Sequence, residues 1–535
     1  MERLKMSKRI TAVFCFFFLF CTVLFFRVFS LSAGSGSQAL KEVAASQSSY
    51  TLSVSQTRGR IYDRNLKKLV NNGVSYKASA VPSVESLAAL SEVSEVNTTS
   101  TAPILLKLSR AAYSRFFTTI PCVERYDENS LAVHVIGHLD GDGEGVYGIE
   151  RALNSYLAEN SGKLSISYSV DGLSRPLSST TPVLKKENYD SLSGVVLTID
   201  SDIQSIAEEV AGKYIKSGAV VVMEAGTGAI RASVSLPEFE PNNIAKDLDN
   251  PLYPFVNRAF SAHNVGSTFK LAVAALGLEY DYPTGYTYEC KGWIDIGGQV
   301  FTCQNHTIPM VMDMETALEK SCNTYFIFLS KVLSANRLLP FAKTLRFGEY
   351  TQFYDGYTTA SGTLPSLDDL SNPAELANFG FGQGKFTATP VQLAAMVGMI
   401  ANNGYLPYPY LIEGFTTDGE TIGEYTSHPT QNRVISKSTA DRIKYYMTQV
   451  VIDGSGKNAL PDEGGAGGKT ASAQTGKLDE SGEEIVDAWF SGFFPEDNPK
   501  YVIVVLNEGM SSGGNYAAPV FKEIADKITV LEKYR

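Results

Sequence analysis

Three short motifs in a fixed order constrain this chain more than any other feature, because a fold must bring them to one place. Ser267-Thr268-Phe269-Lys270 is an S-x-x-K, Ser321-Cys322-Asn323 an S-x-N, and Lys469-Thr470-Ala471 a near-match to K-T-G. The second begins 54 positions after the first, and the third 148 after the second. A single domain can close both spacings. One S-x-x-K arises by chance in most long chains, but three motifs in order describe a serine acyl-transfer centre.

The residue types follow from the chemistry. A serine hydroxyl is a weak nucleophile and needs an adjacent base. Residues i and i+3 share one helix face, so a helix opening near Gly266 puts Ser267 at its N-terminus and Lys270 one turn on. Lysine is a base only when burial or a nearby cation lowers its pKa. Residues 271–278 are apolar or glycine, which roots Lys270 in a core helix, and Lys469 is a candidate second cation. The helix N-terminus also favours negative charge at Ser267 and at the attacked carbonyl oxygen. Read alone, Ser267 capping a helix and Lys270 reaching water is the plainer explanation; the other two motifs outweigh it. None of the five histidines lies in a matching base motif.

These motifs resemble those of the penicillin-binding proteins, and further segments narrow the resemblance to the monofunctional class B transpeptidases. Arg58-Gly59-Arg60-Ile61-Tyr62-Asp63-Arg64-Asn65 is similar to the R-G-x-I-x-D-R-N segment of their pedestal domain. Gly148-Ile149-Glu150 is similar to the G-[LI]-E that ends the pedestal's glycine-rich stretch. Gly382-Gln383-Gly384 followed by Thr389-Pro390-Val391-Gln392-Leu393-Ala394 resembles their G-Q-G and T-P-x-Q-L-A blocks. Arg58, Asp63 and Arg64 read as ion-paired scaffold rather than catalytic groups.

A chain of 535 residues is too long for one core. Its 44% apolar and 19% charged content is that of an ordinary globular protein, and a net charge of −11 argues against a nucleic-acid partner. Residues 1–9 carry Arg3, Lys5, Lys8 and Arg9, and residues 10–26 carry no charge. This reads as a transmembrane anchor over 10–31 with its basic N-terminus in the cytoplasm. The competing reading is a cleaved signal peptide, with small residues at Ser32-Ala33-Gly34. A linker is expected over 32–49, a pedestal over 50–190 and a transpeptidase domain over 191–535.

Within the last domain, 195–199, 219–223, 229–234, 486–493 and 501–506 carry strand signals, and Asp200 or Ser201 can cap a helix reaching Tyr214. Residues 517–534 read as an amphipathic helix. Strands at both ends with helices between imply an α+β fold, an antiparallel sheet sandwiched by helices.

The resemblance implies peptidoglycan stem peptides ending in D-alanyl-D-alanine as substrate, β-lactam antibiotics as mimics, and a membrane glycan polymerase of the SEDS family as partner. Ser267 would be the nucleophile, Lys270 the base and Ser321 a proton relay. Asn323 would bind the substrate backbone, and Lys469 and Thr470 its carboxylate. The backbone N–H groups of Ser267 and Ser472 would form the oxyanion hole. No cofactor is needed for this chemistry. Ala471 replaces the usual glycine, and its methyl group is expected to narrow the pocket or alter β-lactam preference. The alternatives are a β-lactam-hydrolysing or β-lactam-sensing relative, and a scaffold without activity.

Cys290, Cys303, His306 and Cys322 form a second constellation. Three thiols and an imidazole suit a structural, tetrahedral zinc; a Cys290–Cys303 disulfide and unpaired thiols are the other readings. Two decoys fail on context. Residues 463–470 nearly spell a phosphate-binding loop, but Glu463 fills the first glycine slot and a strand pattern follows. Glu375-Leu376-Ala377-Asn378 faintly resembles the deacylating segment of class A β-lactamases.

Overall fold

A computed structural model describes residues 2–33, 48–171, 173, 175–177, 180–303, 306–478 and 481–535. The expected linker at 32–49 lies outside the described residues apart from its ends. Helix α1, Glu2–Ala33, contains the span Met6–Ser30 with mean hydropathy 2.5. It is long and apolar enough to cross a membrane, and it fits a single-pass anchor.

Beyond α1 the chain forms two compact units. The first holds residues 73–124 and 161–190 together with the strand after the anchor. Its strands are β1 (Ser49–Thr57), β2 (Gly73–Ala80), β3 (Ile104–Leu108), β4 (Thr118–Glu124), β5 (Gly162–Ser169) and β6 (Val183–Glu187). They make two three-stranded sheets, ordered β1-β5-β6 and β3-β2-β4, and helix α2 (Val84–Ser91) packs on the second through Leu90. The second unit contains 191–535 but also takes 58–72 and 125–160, so the division expected at residue 190 is interleaved rather than linear.

An ion-pair network explains why those early segments belong there. Glu150 is fully buried and receives Arg58 Nε at 3.0 Å, Arg125 Nε at 2.7 Å and the Tyr126 hydroxyl at 3.0 Å. Asp63, also buried, accepts from the backbone N–H groups of Asn65 and Lys67 and from the Ser201 hydroxyl. Arg58 and Asp63 are therefore scaffold, and Arg64 stands 3.9 Å from Asp200.

The main sheet lies in the second unit. Its strands are β7 (Gly218–Glu224), β8 (Ile230–Leu236), β9 (Gly467–Leu478), β10 (Glu484–Phe494) and β11 (Tyr501–Asn507). They are ordered β8-β7-β11-β10-β9, and every pairing is antiparallel. Alternation along a strand sends successive side chains to opposite faces, and here both faces are covered. On one face Val220, Val222, Ile503 and Val505 meet helices α3 (Ser201–Tyr214) and α8 (Ala518–Lys533) through Ile203, Val210, Phe521 and Ile524. On the other, Val221, Val502 and Val504 join a core with α4 (Lys270–Glu279), α6 (Pro390–Ala401) and α7 (Lys437–Ile452). Between α4 and α6 runs α5, Asn323–Leu333. This is the helix-sandwiched antiparallel sheet expected of the sequence.

Local signals set the boundaries. Asp200 caps α3 by accepting from the N–H groups of Asp202 and Ile203, and the Arg535 guanidinium grips the same carboxylate with two bonds of 2.7 and 2.8 Å. The T-P-x-Q block opens α6 as a capping box between Thr389 and Gln392 with proline in the first turn. One expected strand changes place. Gly194–Leu197 joins a separate four-stranded sheet with Arg60–Tyr62 and Ile412–Thr416 rather than the main one. A residue-by-residue periodicity does not encode the partner of a strand, which is why sequence left this open.

Candidate active site

Ser267 stands in a 3-10 turn, Gly266–Phe269, that runs directly into α4. Two glycines make the turn possible. Gly266 has φ +61° and lies so near β9 that a Cβ would come within 3.3 Å of the Ala471 Cβ and 3.2 Å of the Ala473 Cβ. Gly382, the first glycine of G-Q-G, accepts the Gly266 N–H at 2.8 Å. A Cβ on Gly382 would sit 1.9 Å from the Gly266 carbonyl oxygen, so only glycine fits there. Phe269 anchors the turn from below, its ring centroid 4.6 to 5.9 Å from those of Phe386, Phe379 and Phe347.

The second motif occupies the turn that opens α5. Ser321 is left-handed, φ +57°, in a residue type that seldom adopts it. The Ser321 N–H donates to Leu318 O, and the next N–H, of Cys322, to Ala317 O. Lys270 Nζ donates to the Ser321 carbonyl at 2.8 Å and to Asn323 Oδ1 at 2.7 Å. The buried ammonium thus holds a strained turn in place.

The third motif lies on β9, the edge strand of the main sheet. Lys469 Nζ donates to Ser321 Oγ at 2.8 Å, and Lys270 Nζ lies 3.4 Å from the same oxygen. Both lysines are fully buried. Burial pushes Lys270 down to about 8, partly offset by the Cys322 and Cys303 sulfurs. Lys469 falls further, through burial first and the Lys270 charge second.

A cavity of about 550 Å³ opens over the three motifs, lined by Ser267, Ser321, Asn323, Thr470, Ala471 and Ser472. No histidine lines it. The expected set is thus brought together, with two qualifications. Among the described residues, Ser267 Oγ has no hydrogen-bond partner, and Lys270 points to Ser321 and Asn323. Asn323 uses its amide inside the protein, donating Nδ2 to Thr302 O at 3.0 Å. Ala471 is 3% exposed, and its methyl group is directed at the room left by Gly266.

Sequence reasoning missed several lining residues: Thr302, Gln383, Ser455, Gln474 and Ser512. Gln383 sits inside a motif already noted, and Gly454-Ser455-Gly456 offered a small-residue signal. The others carry none. Glu375, the deacylation decoy, stands in the first turn of helix Pro373–Gly380 and does not line the cavity. Residues 467–478, which overlap the end of the phosphate-loop decoy and run on past it, are strand, as its rejection required.

The second constellation also assembles. The ligand atoms of Cys290, Cys303, His306 and Cys322 all lie within 4.8 Å of one another. All three thiols are free and buried. Cys322 Sγ caps α5 by accepting the Tyr325 N–H, and Cys303 Sγ lies 3.8 Å from His306 Nδ1. A hydrogen bond from the Cys322 thiol holds Cys303 low, at about 5, and raises Cys322 in turn.

Comparison with known proteins agrees with this geometry. The family model "Penicillin binding protein transpeptidase domain" matches residues 218–526. Stage V sporulation protein D of Bacillus subtilis (strain 168) is 28% identical over 416 residues, covering 75% of this chain and 63% of that protein. The peptidoglycan D,D-transpeptidase FtsI homolog of Mesostigma viride is 26% identical over 450 residues, covering 76% and 72%. The match thus spans just under two thirds of the first relative's length. A chain from the solved structure described as "Structural coordination of polymerization and crosslinking by a peptidoglycan synthase complex" superposes with a TM-score of 0.72 at 24% identity, over 97% of this chain and 98% of that one. At that identity the likeness speaks for the fold alone. With the matched transpeptidase domain, these relatives and three motifs converging on one cavity, the chain belongs to the penicillin-binding proteins, as a class B member.

Proposed function

We propose that this chain is a peptidoglycan cross-linking D,D-transpeptidase working through a serine acyl-enzyme. The observation that carries the reading is the convergence of Lys270 and Lys469 on the Ser321 hydroxyl, beside Ser267, in a polar cavity. Two buried ammonium groups in contact with one hydroxyl disfavour each other's charge, so the pair holds one proton rather than two. Ser321 Oγ, touching both, is the path along which that proton moves. Lys270 acts as the base once it has given that proton up to solvent and become neutral.

Neutral Lys270 then accepts the Ser267 proton as Ser267 Oγ attacks the penultimate carbonyl of a D-alanyl-D-alanine stem peptide. Catalytic hydrogen bonds often tighten only when substrate is bound, and a change of Lys270 rotamer toward Ser267 is what this step requires. Backbone N–H groups of Ser267 and Ser472 receive the oxyanion. The proton passes from Lys270 through Ser321 to the leaving amine and D-alanine departs; an amine from a neighbouring peptide then attacks the Ser267 ester, gives a proton to Lys270, and the acyl–Oγ bond breaks as that proton returns to Ser267. Lys469 and Thr470 hold the donor's carboxylate, and Asn323 its backbone. A β-lactam acylates Ser267 by the same attack, but its leaving group stays tethered. The Ala471 methyl takes up space beside the nucleophile turn, which supports a changed β-lactam preference.

Labelling with a fluorescent penicillin tests the reading. The wild-type chain is expected to form a stable covalent adduct, and Ser267→Ala to form none. An adduct that survives in the variant, or that turns over rapidly in the wild type, counts against a transpeptidase.

The same reading places α1 across the cytoplasmic membrane with the N-terminus inside and both units outside. A membrane glycan polymerase of the SEDS family is its partner, supplying the strands that are cross-linked.

The Cys290, Cys303, His306 and Cys322 set fits zinc. Three sulfurs and one imidazole are a tetrahedral donor set, and ideal edges of such a site measure roughly 3.5 to 3.8 Å. The 3.8 Å between Cys303 Sγ and His306 Nδ1 is at the upper end of that range, and the four ligand atoms, all within 4.8 Å of one another, would draw in slightly on the ion. With four protein ligands the ion would be structural, tying Cys322, the middle residue of S-x-N, to the loop at 290–306. Metal analysis of the purified chain is expected to find one zinc per chain. Stripping it with a strong chelator should lower the melting temperature and slow acylation together. Metal-free protein with normal melting and acylation would overturn the assignment.

A further inference from the structure

We propose that Ser455 is a positioning residue for the acyl donor's terminal carboxylate, acting through Thr470; this rests on the transpeptidase reading and deepens it. Ser455 Oγ lies 2.8 Å from Thr470 Oγ1, and both residues line the cavity over the three motifs. Each hydroxyl carries one proton and two lone pairs, and its rotor turns to suit its partners. When Thr470 gives its one proton to a carboxylate, its oxygen can take part in the 2.8 Å contact with Ser455 only as acceptor. Ser455 is placed to be the donor, giving a chain Ser455 O–H to Thr470 O–H to carboxylate in which each bond polarises the next.

The loop that carries Ser455 is built for close approach. The Ser455 N–H donates to the carbonyl of Glu319, two residues before Ser321. A Cβ on Gly454 would lie 2.8 Å from that same carbonyl oxygen. On the other side, a Cβ on Gly456 would meet the Phe490 ring at 3.1 Å, and one on Gly514 would meet the Ser455 carbonyl oxygen at 2.5 Å. Glycine at 454, 456 and 514 lets this loop wedge between the turn before S-x-N, strand β10 and the turn Gly513–Ala517. Ser455 therefore presents one hydroxyl, from a loop packed closely against the Glu319 carbonyl, the Phe490 ring and Gly514, to the strand that bears the third motif. A serine that merely finished α7 would need none of this.

The test compares acylation of the full-length, detergent-solubilised chain by benzylpenicillin and by its methyl ester, which lacks the carboxylate charge. Ser455→Ala is expected to lower the acid-to-ester ratio of acylation rate constants about tenfold, the scale of one hydrogen bond to a charged group. Ser455→Thr, which keeps the hydroxyl, is expected to restore the wild-type ratio. Equal slowing of both reagents, or no slowing of either, would show that Ser455 only shapes the loop and overturns the proposal. If neither reagent acylates the wild-type chain, the transpeptidase reading falls first and this inference with it.

Discussion

Replacing Lys270 with methionine is expected to slow acylation of Ser267 about a thousandfold, the middle to upper part of the range for loss of a general base. The change keeps an unbranched side chain in a fully buried slot but removes the only amine one turn from Ser267. The wild-type pH profile carries the same information with a definite sign. Burial pushes Lys270 down to about 8; below that pH it is an ammonium ion and cannot accept a proton. The acylation rate should therefore rise as pH increases through about 8 and level off above it. Stopped-flow acylation by a chromogenic β-lactam between mildly acidic and mildly alkaline pH reads both effects. A methionine variant that retains a tenth of the wild-type rate, or one that keeps the wild-type profile, would remove Lys270 from its role.

The second large effect concerns stability. Glu150→Ala should destabilise the folded chain by about 3 to 5 kcal/mol, because it strands buried charge rather than merely deleting a bond. The carboxylate is fully buried, and the Arg58 and Arg125 side chains facing it are only 9% and 11% exposed. Both guanidinium groups would be left in a poorly hydrated interior with only neutral acceptors, backbone carbonyls and the side-chain amides of Asn154 and Asn71. Urea unfolding followed by fluorescence measures the loss, and a change under 1 kcal/mol would mean that water reaches the network freely. Acylation by the variant that remains folded should stay near wild type, since neither arginine lines the cavity at Ser267.

Much of the site was legible because its chemistry is local. Ser267 and Lys270 share one helical turn, and Ser321 and Asn323 flank a helix cap, so spacing alone proposes each pair. The main-sheet strands were legible too: four hydrophobic runs between turn residues became β7, β8, β10 and β11. What could not be read is whatever depends on which segments meet. The Glu150 carboxylate pairs with an arginine 92 positions away, and that contact draws part of the expected pedestal into the second unit. Ser455 touches Thr470 only because a glycine-flanked loop passes between two motifs. The Cys–His set had ligand-like spacing in one half, Cys303 to His306, while its closure by Cys290 and Cys322 needed the fold.

The amino-acid order by itself determined the reactive groups, the helix and strand tendencies around them, and an apolar segment fit for a bilayer, since these follow from side-chain chemistry and from repeats of two or three to four residues. The tertiary structure alone decided that two buried amines share one hydroxyl. That meeting spans 148 positions between Ser321 and Lys469, and it sets their basicity through burial and mutual repulsion. No count along the chain contains either quantity.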